Sequence, residues 1–585
     1  MAQGWLQIAI FVAVVIALTK PLGAYMARVY TGQRVFLSPV LGWAERLTYR
    51  ALRVDPDAEQ DWKSYARSMI VFSLLFWIAL YLILRTQGIQ PFNPAGFHSG
   101  PWDVSFNTTS SFITNTNWQY YGGETTLTYF AQMAGLAVQN FVSAAVGIAV
   151  AVAMIRGFIA RSGASLGNFW QDMVRGLYYV LLPLAFVVTL ILVSQGVLQT
   201  LGHAISATTL AGANQTLAIG PVASQVAIKQ LGTNGGGFFN TNSAYPFENP
   251  TQLSNFVELL AIILIPAALT YTYGRMVGAQ RQGWAIFAAM LVMWVALIAV
   301  ILPAEQHGTP AQHLAGLHTT AFHGSTGGNL EGKEQRNGIT ESALWATTTT
   351  VTSNGSVNAS MESFTGLGSA VPMSGLAASE VIFGGVGTGL YSMLLFVLLA
   401  VFLGGLMVGR TPEYLGKKIQ AREIKLVSLG VLYTPLSVLL AAGLASATRL
   451  GTRSIFAGIN PQGFSETLYA YLSQANNNGS AFAGYTGFEQ PHAPGNVGAY
   501  GITFADLLGG VVMLTARFIP ILIVLAVAGS LAKKKVSPAG LGTMRTDNPT
   551  FVILLIGVVI LVGALTFFPA LLLGPVVQSL TTRLF

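Results

Sequence analysis

Long apolar runs separated by polar connections recur from one end of the chain to the other. Crossing a hydrocarbon core as a helix takes about 20 mostly apolar residues. Ten runs meet that requirement, at residues 5–26, 68–84, 127–155, 176–197, 253–274, 284–302, 381–409, 426–447, 507–532 and 551–573. The pattern predicts an all-α integral membrane protein with ten transmembrane helices. The first run has no basic residue ahead of it and no clear small-residue cleavage site, so it reads as a retained span rather than a secretory signal.

The connections on one side share a motif: Thr114-Asn115-Thr116-Asn117, Thr233-Asn234-Gly235-Gly236, Ser353-Asn354-Gly355-Ser356 and Asn477-Asn478-Gly479-Ser480. Their second positions, Asn115, Asn234, Asn354 and Asn478, lie 119, 120 and 124 residues apart. Each motif follows a segment too short to cross a bilayer, at 101–113, 221–232, 340–352 and 464–475. Pro101 and Pro221 suit a first helical turn. Asp103, Glu341 and Glu466, acidic near three of the starts, are expected to be caps rather than ion ligands.

The repeating unit is therefore span, short re-entrant helix, polar turn, span. Four pseudo-symmetric pore repeats are expected at 66–156, 172–276, 282–411 and 423–534, around a central pore. Residues 1–65 supply a first helix with its cytoplasmic loop, and 548–585 a last helix. Irregular backbone at membrane depth is tolerated where it lines a pore. Glycine allows successive carbonyls to turn toward an axis, and rings of carbonyls can replace the hydration shell of potassium. The turns contain no Asp or Glu. The C-terminal ends of the short helices, aimed inward, favour a cation over an anion.

Composition agrees with a membrane location. Only 9% of residues are charged and 52% are hydrophobic, against roughly a quarter charged in soluble domains. That leaves no room for a catalytic domain of ordinary size. The absence of cysteine excludes thiolate metal sites, iron–sulfur clusters and cysteine nucleophiles. Most of the 30 Lys and Arg residues fall in loops after spans one, three, five, seven and nine, which makes those loops cytoplasmic and turns both termini outward. The net charge of +8 therefore calls for no nucleic acid. Lys533, Lys534 and Lys535 read as topology determinants, with anionic lipid or a partner as the other reading.

Several strings resemble a known family. They are 115–119 with 123–127, 232–240, Phe247-Glu248-Asn249-Pro250, 409–418 and 476–484. These are similar to the potassium-binding subunits of bacterial Kdp ATP-driven potassium pumps, within the superfamily of potassium transporters. The resemblance spans nearly the whole chain. It implies a non-catalytic subunit of a bacterial inner-membrane complex, with ATP hydrolysed by a P-type ATPase subunit, KdpB, and with accessory subunits KdpC and KdpF. Potassium would enter a periplasmic filter and pass through an intramembrane tunnel to the ATPase subunit. The matching filter positions are Asn115, Thr116, Asn117, Thr233, Asn234, Gly235, Ser353, Asn354, Gly355, Asn477, Asn478 and Gly479, with Gln119 just beyond the first strand. Where the family often has Cys before the third filter glycine, this chain has Asn354. The resemblance also implies an internal gate in span seven, at Gly384, Gly385 and Gly387, with Arg410 at that helix's cytoplasmic end.

The residues independently point away from ATP chemistry, since neither a Gly-x4-Gly-Lys-Ser/Thr phosphate loop nor an Asp-Lys-Thr-Gly phosphorylation string occurs. The glycine run 384–389 reads as a broken or closely packed helix, because interior glycines cost about 1 kcal/mol each. His307, His313, His318 and His323 share one outward loop. With no regular ligand pattern they read as exposed loop rather than zinc site. Lys20 and Arg517 should snorkel or face protein. For Arg517 an electrostatic barrier and a bundle contact both stand open, and Glu380 is equally ambiguous. A stand-alone potassium channel or ion-coupled symporter is the alternative function, and a non-conducting membrane scaffold a more distant one.

Overall fold

The computed structural model describes residues 2–581 except 162, 164, 318, 321–326, 488–502, 539, 541 and 542. Among the described residues, ten helices are long and apolar enough to cross a membrane. They run Ala2–Tyr30, Trp62–Ile89, Ala131–Ile159, Phe169–Ser194, Gln252–Met276, Gln280–Leu314, Thr388–Met407, Ala421–Ala447, Thr503–Ala532 and Pro549–Leu580. We number them span one to span ten.

Burial sorts the spans by role. In the most apolar window of span three 89% of residues are buried, against 28% in spans one, two and ten. Span three is rich in Ala, Gly and Val, and such small side chains let helix backbones approach closely. A Cβ on Gly147 would lie 2.3 Å from the Val386 carbonyl, and one on Gly157 would lie 2.8 Å from the Ala528 backbone. Spans one and ten instead present Leu6, Ile10, Ile553 and Leu565 outward, as lipid-facing helices do.

Four short helices sit between consecutive spans: Trp102–Ile113, Val222–Leu231, Gly338–Val351 and Pro461–Ala475. We call them pore helices one to four. They are polar yet buried, which is possible because hydroxyls bond back to their own helix. Thr347, Thr348 and Thr350 donate to the carbonyls of Ala343, Leu344 and Ala346 at 2.7–2.9 Å. Pro101 and Pro221 stand immediately before their helices.

Span seven differs from the hydropathy reading. Its apolar run starts near residue 381, but the helix begins at Thr388. A separate helix, Gly366–Ala377, precedes it. The segment between them bends through left-handed backbone at Ser379, Glu380, Phe383, Gly384 and Gly387. Val381, Ile382 and Phe383 are apolar because they are buried, so hydropathy cannot separate this loop from the span it abuts.

Candidate functional site

Each pore helix ends in the same way. The backbone N–H groups of Thr116, Asn234, Asn354 and Asn478 donate to the carbonyls of Ser111, Lys229, Thr349 and Ser473, every bond at 2.9 Å. The residue before each donor, Asn115, Thr233, Ser353 or Asn477, is left-handed, with φ between 48° and 69°. This six-to-one bond over a left-handed residue is the Schellman helix stop. The residue after each donor, Asn117, Gly235, Gly355 or Gly479, is left-handed again. The structural register therefore equates Thr116, not Asn115, with Asn234, Asn354 and Asn478. Asn117 stands where the other turns have glycine, which Asn permits because it tolerates left-handed backbone.

The four turns close a ring. A Cβ on Gly235 would lie 2.0 Å from the Asn354 carbonyl oxygen, one on Gly355 1.8 Å from that of Asn478, and one on Gly479 2.0 Å from that of Thr116. The circuit closes between turns one and two, where the Asn115 amide donates to the Thr233 carbonyl at 2.8 Å. Gln119 clasps the same junction, donating to the Gly237 carbonyl at 3.1 Å and accepting from its N–H at 3.2 Å. A single depression of about 430 Å³ opens above the ring, and Asn117, Gly235, Gly355 and Gly479 all line it.

Side chains brace the turns from behind. Asn354 accepts from the Ser356 N–H at 2.9 Å, and its amide reaches the Lys229 carbonyl at 3.3 Å. Asn478 repeats the arrangement, accepting from the Ser480 N–H at 3.0 Å and donating to the Thr349 carbonyl at 2.8 Å. The hydroxyls of Thr349 and Ser473 each accept from the following turn glycine at 2.9 Å. Ser143 on span three donates to Asn115 at 2.7 Å, and Asn117 donates to Asn140 at 2.6 Å. Ser143, Asn140, Thr349 and Ser473 escape a reading of the sequence. Only the last two carry a signal, a hydroxyl five residues before the central Asn.

A buried ion pair lies behind turn two. Lys229 on pore helix two contacts Glu248 at 2.5 Å, with both side chains fully buried. The Phe239 N–H donates to the other Glu248 oxygen at 2.9 Å. The lysine charge is thus neutralised locally rather than projected into the ring.

Of the acidic residues expected to cap pore helices, Asp103 does so in part, accepting from the Val104 N–H in the first turn at 3.0 Å, while Glu341 and Glu466 do other work. Glu341 accepts from Asn255 at 2.9 Å, and burial pushes its carboxyl up to about 7. Asp103 accepts from Thr503 at 2.9 Å. Glu466 accepts from the Phe456 and Ala457 N–H groups, and burial beside Glu362 raises its pKa. Asn460 is the side-chain cap of pore helix four, accepting from the Gly463 N–H at 2.9 Å. These carboxyls sit inside the protein, where neighbouring segments supply them with donors.

The loop before span seven lies against the ring. The Gly384 N–H donates to the Val351 carbonyl at 2.9 Å, the Val386 N–H to the Thr233 hydroxyl at 2.8 Å, and the Asn477 amide to Glu380 at 2.9 Å. A Cβ on Gly384 or Gly387 would lie 2.1 Å or 2.0 Å from a backbone oxygen, and both have positive φ. Gly385 has room for a Cβ. Arg517 is buried and donates to Thr388 at 2.6 Å. That is a bundle contact, made beside the same loop. Arg410 is not brought to this cluster: it is exposed beyond the far end of a 20-residue helix, about 30 Å away at 1.5 Å per residue. Lys20 is exposed on span one.

Among the described residues no group of three or more His, Asp or Glu side chains is placed to hold a metal ion. The ring nitrogens of His307 and His313 contact backbone carbonyls instead, while His318 and His323 lie outside the described residues.

Comparison with known proteins adds a third line. The family described as "KdpA: Potassium-transporting ATPase A subunit" matches residues 9–580. A protein of Sorangium cellulosum is 54% identical over 99% of each chain. One of Methylobacterium nodulans is 55% identical over 99% of this chain and 97% of its own. Both are named potassium-transporting ATPase potassium-binding subunit. The crystal structure of the potassium transporter TrkH from Vibrio parahaemolyticus aligns with a TM-score of 0.50 at 14% identity, covering 79% of this chain and 84% of that one. That likeness extends to the fold. With the family match running almost end to end and relatives more than half identical, the chain belongs to the KdpA family of potassium-transporting ATPase A subunits.

Proposed function

We propose that this chain is the potassium-binding and translocating subunit of an ATP-driven potassium uptake pump. The observation that carries the reading is the closed ring of four turns beneath one outward depression. The turns contain no charged side chain, so their main-chain oxygens are the groups on offer to a partly dehydrated cation. Four helix C-termini meet there, and their partial negative charge favours cations. The side chains of Asn354 and Asn478 are engaged in bracing the turns. Replacing the family's frequent Cys by Asn at position 354 therefore leaves the carbonyl set intact.

The loop 378–387 closes the direct path below the ring. A small cavity beneath turn four, lined by Glu380, Thr388, Asn477 and Arg517 among others, offers the ion a sideways step. One Glu380 carboxyl oxygen has no hydrogen-bond partner and offers an acceptor to a cation leaving the ring. From there the ion passes through an intramembrane tunnel to a P-type ATPase partner, KdpB, with KdpC and KdpF completing a complex in the bacterial inner membrane. The basic loops then face the cytoplasm and both termini the periplasm. In this arrangement each of the segments 66–156, 172–276, 282–411 and 423–534 supplies one quarter of the pore.

Gly235→Asp tests the assignment. The new side chain meets the Asn354 carbonyl and brings a carboxylate into the ring. Half-saturation of ATP-driven potassium uptake should weaken at least about tenfold, the equivalent of about 1.4 kcal/mol. Wild-type affinity and ion preference in this variant would refute the reading.

A further inference from the structure

The helix Ser38–Leu52 follows span one after a short connection and packs against the start of span four by a polar face. Glu45 accepts from the Tyr49 hydroxyl at 2.9 Å, from Arg175 at 3.1 Å and from the Tyr179 hydroxyl at 2.7 Å. Thr48 meets the Tyr178 hydroxyl at 2.9 Å. The outward face is apolar up to Arg50 in the last turn. Phe36, Val40, Trp43 and Leu47, spaced four, three and four residues apart, are 77%, 61%, 62% and 56% exposed. A helix lying between protein and water is arranged the other way round. An inverted helix at the end of a transmembrane span fits the membrane interface, where indole rings concentrate and apolar faces sink among acyl chains.

Beside this face a cavity of about 500 Å³ is lined by Arg34, Ser38, Arg46 and Arg175, among others. Arg175 is paired with Glu45. Among the described residues, neither Arg34 nor Arg46 has an ion-pair partner within 4 Å. Two uncompensated guanidinium groups next to a lipid-facing stripe complement a phosphodiester, which Arg binds through paired hydrogen bonds. We propose that Ser38–Leu52 forms a docking site for an anionic phospholipid, with the headgroup phosphate between Arg34 and Arg46 and the acyl chains along Trp43 and Leu47.

The chain contains no cysteine, so single introduced thiols report position cleanly. The full chain with its co-purifying subunits is reconstituted in phosphatidylcholine vesicles, with or without phosphatidylglycerol, carrying a nitroxide at Trp43→Cys, at Leu47→Cys or, as a water-exposed control, at Asp57→Cys. At positions 43 and 47, collisions with oxygen should exceed those with a water-soluble nickel chelate severalfold, and the control should show the reverse. Phosphatidylglycerol should raise the thermal midpoint of the unlabelled protein by about 3 °C or more, and Arg34→Gln with Arg46→Gln should abolish that rise. Nickel access at position 43 would overturn the proposal. Shielding from both reagents would mean that a protein partner covers the face, and would also overturn it. So would an equal rise with inorganic phosphate in phosphatidylcholine vesicles, or a rise that survives the double substitution.

Discussion

Asn354 and Asn478 show how single side chains set the geometry of the ring without facing an ion. Each ties its own turn to the preceding pore helix. Removing such a side chain strands a buried N–H, at roughly 1–3 kcal/mol. Asn354→Ala should therefore lower the thermal midpoint in detergent and weaken potassium affinity together, whereas a role limited to ion contact would change affinity alone. Lys229 and Glu248 form the other decisive residue pair. Lys229→Met leaves Glu248 buried and unpaired, a loss of about 3–5 kcal/mol, while Lys229→Met with Glu248→Leu should recover much of it. Equilibrium unfolding of Lys229→Met, Glu248→Leu and the double variant against the parent measures the coupling. These pairings were not legible in the sequence, because Lys229 and Glu248, or Ser143 and Asn115, are ordinary in composition and carry no spacing signal, and only the fold of the segment between them brings each pair together. The turn residues were legible through repetition. The one-residue slip in turn one arose because Asn117 occupies a glycine-like conformation, which a letter-by-letter match to Asn115 conceals.

Among the elements, the four short helices and ten spans follow from run length and apolarity, and their observed ends lie within about seven residues of the hydropathy limits apart from the far end of span six, while span seven alone starts well inside its apolar run. The exceptions are instructive. Span seven starts late because a buried loop and a lipid-crossing helix are equally apolar, and only the glycines mark the join. Their roles separate by geometry. Gly387→Ala places a Cβ 2.0 Å from the Gly147 oxygen at a φ of 86°, strain of about 1–3 kcal/mol before the clash is counted. It should reduce ATP-driven uptake at least about tenfold. Gly385→Ala meets only ordinary contacts and should stay within about twofold of the parent. Initial uptake rates, normalised to the amount of folded protein, compare the two.

Across the whole molecule, Glu362 and Glu466 join pore helix four to the segment ahead of the helix Gly366–Ala377. Glu362 accepts from the Gly484 N–H at 2.6 Å and from Gln462 at 3.1 Å, while burial and the adjacent carboxylate raise the Glu466 pKa. A pKa higher in the folded than in the unfolded chain means that the folded form holds its proton more tightly. The resulting stability is complete below the ordinary carboxylate range and declines as pH climbs through the raised value. Thermal midpoints should therefore fall toward alkaline pH, and Glu466→Gln should flatten that fall. An unchanged slope would show that Glu466 does not hold its proton more tightly in the folded chain. The four-turn ring is the global feature on which transport depends. Crystals grown with thallium in place of potassium test it most directly, because the anomalous signal locates a potassium-sized cation without reference to the protein. The account predicts a peak on the axis enclosed by Asn115–Asn117, Thr233–Gly235, Ser353–Gly355 and Asn477–Gly479. A protein whose transport is saturated by thallium, yet which shows no peak there, would contradict it.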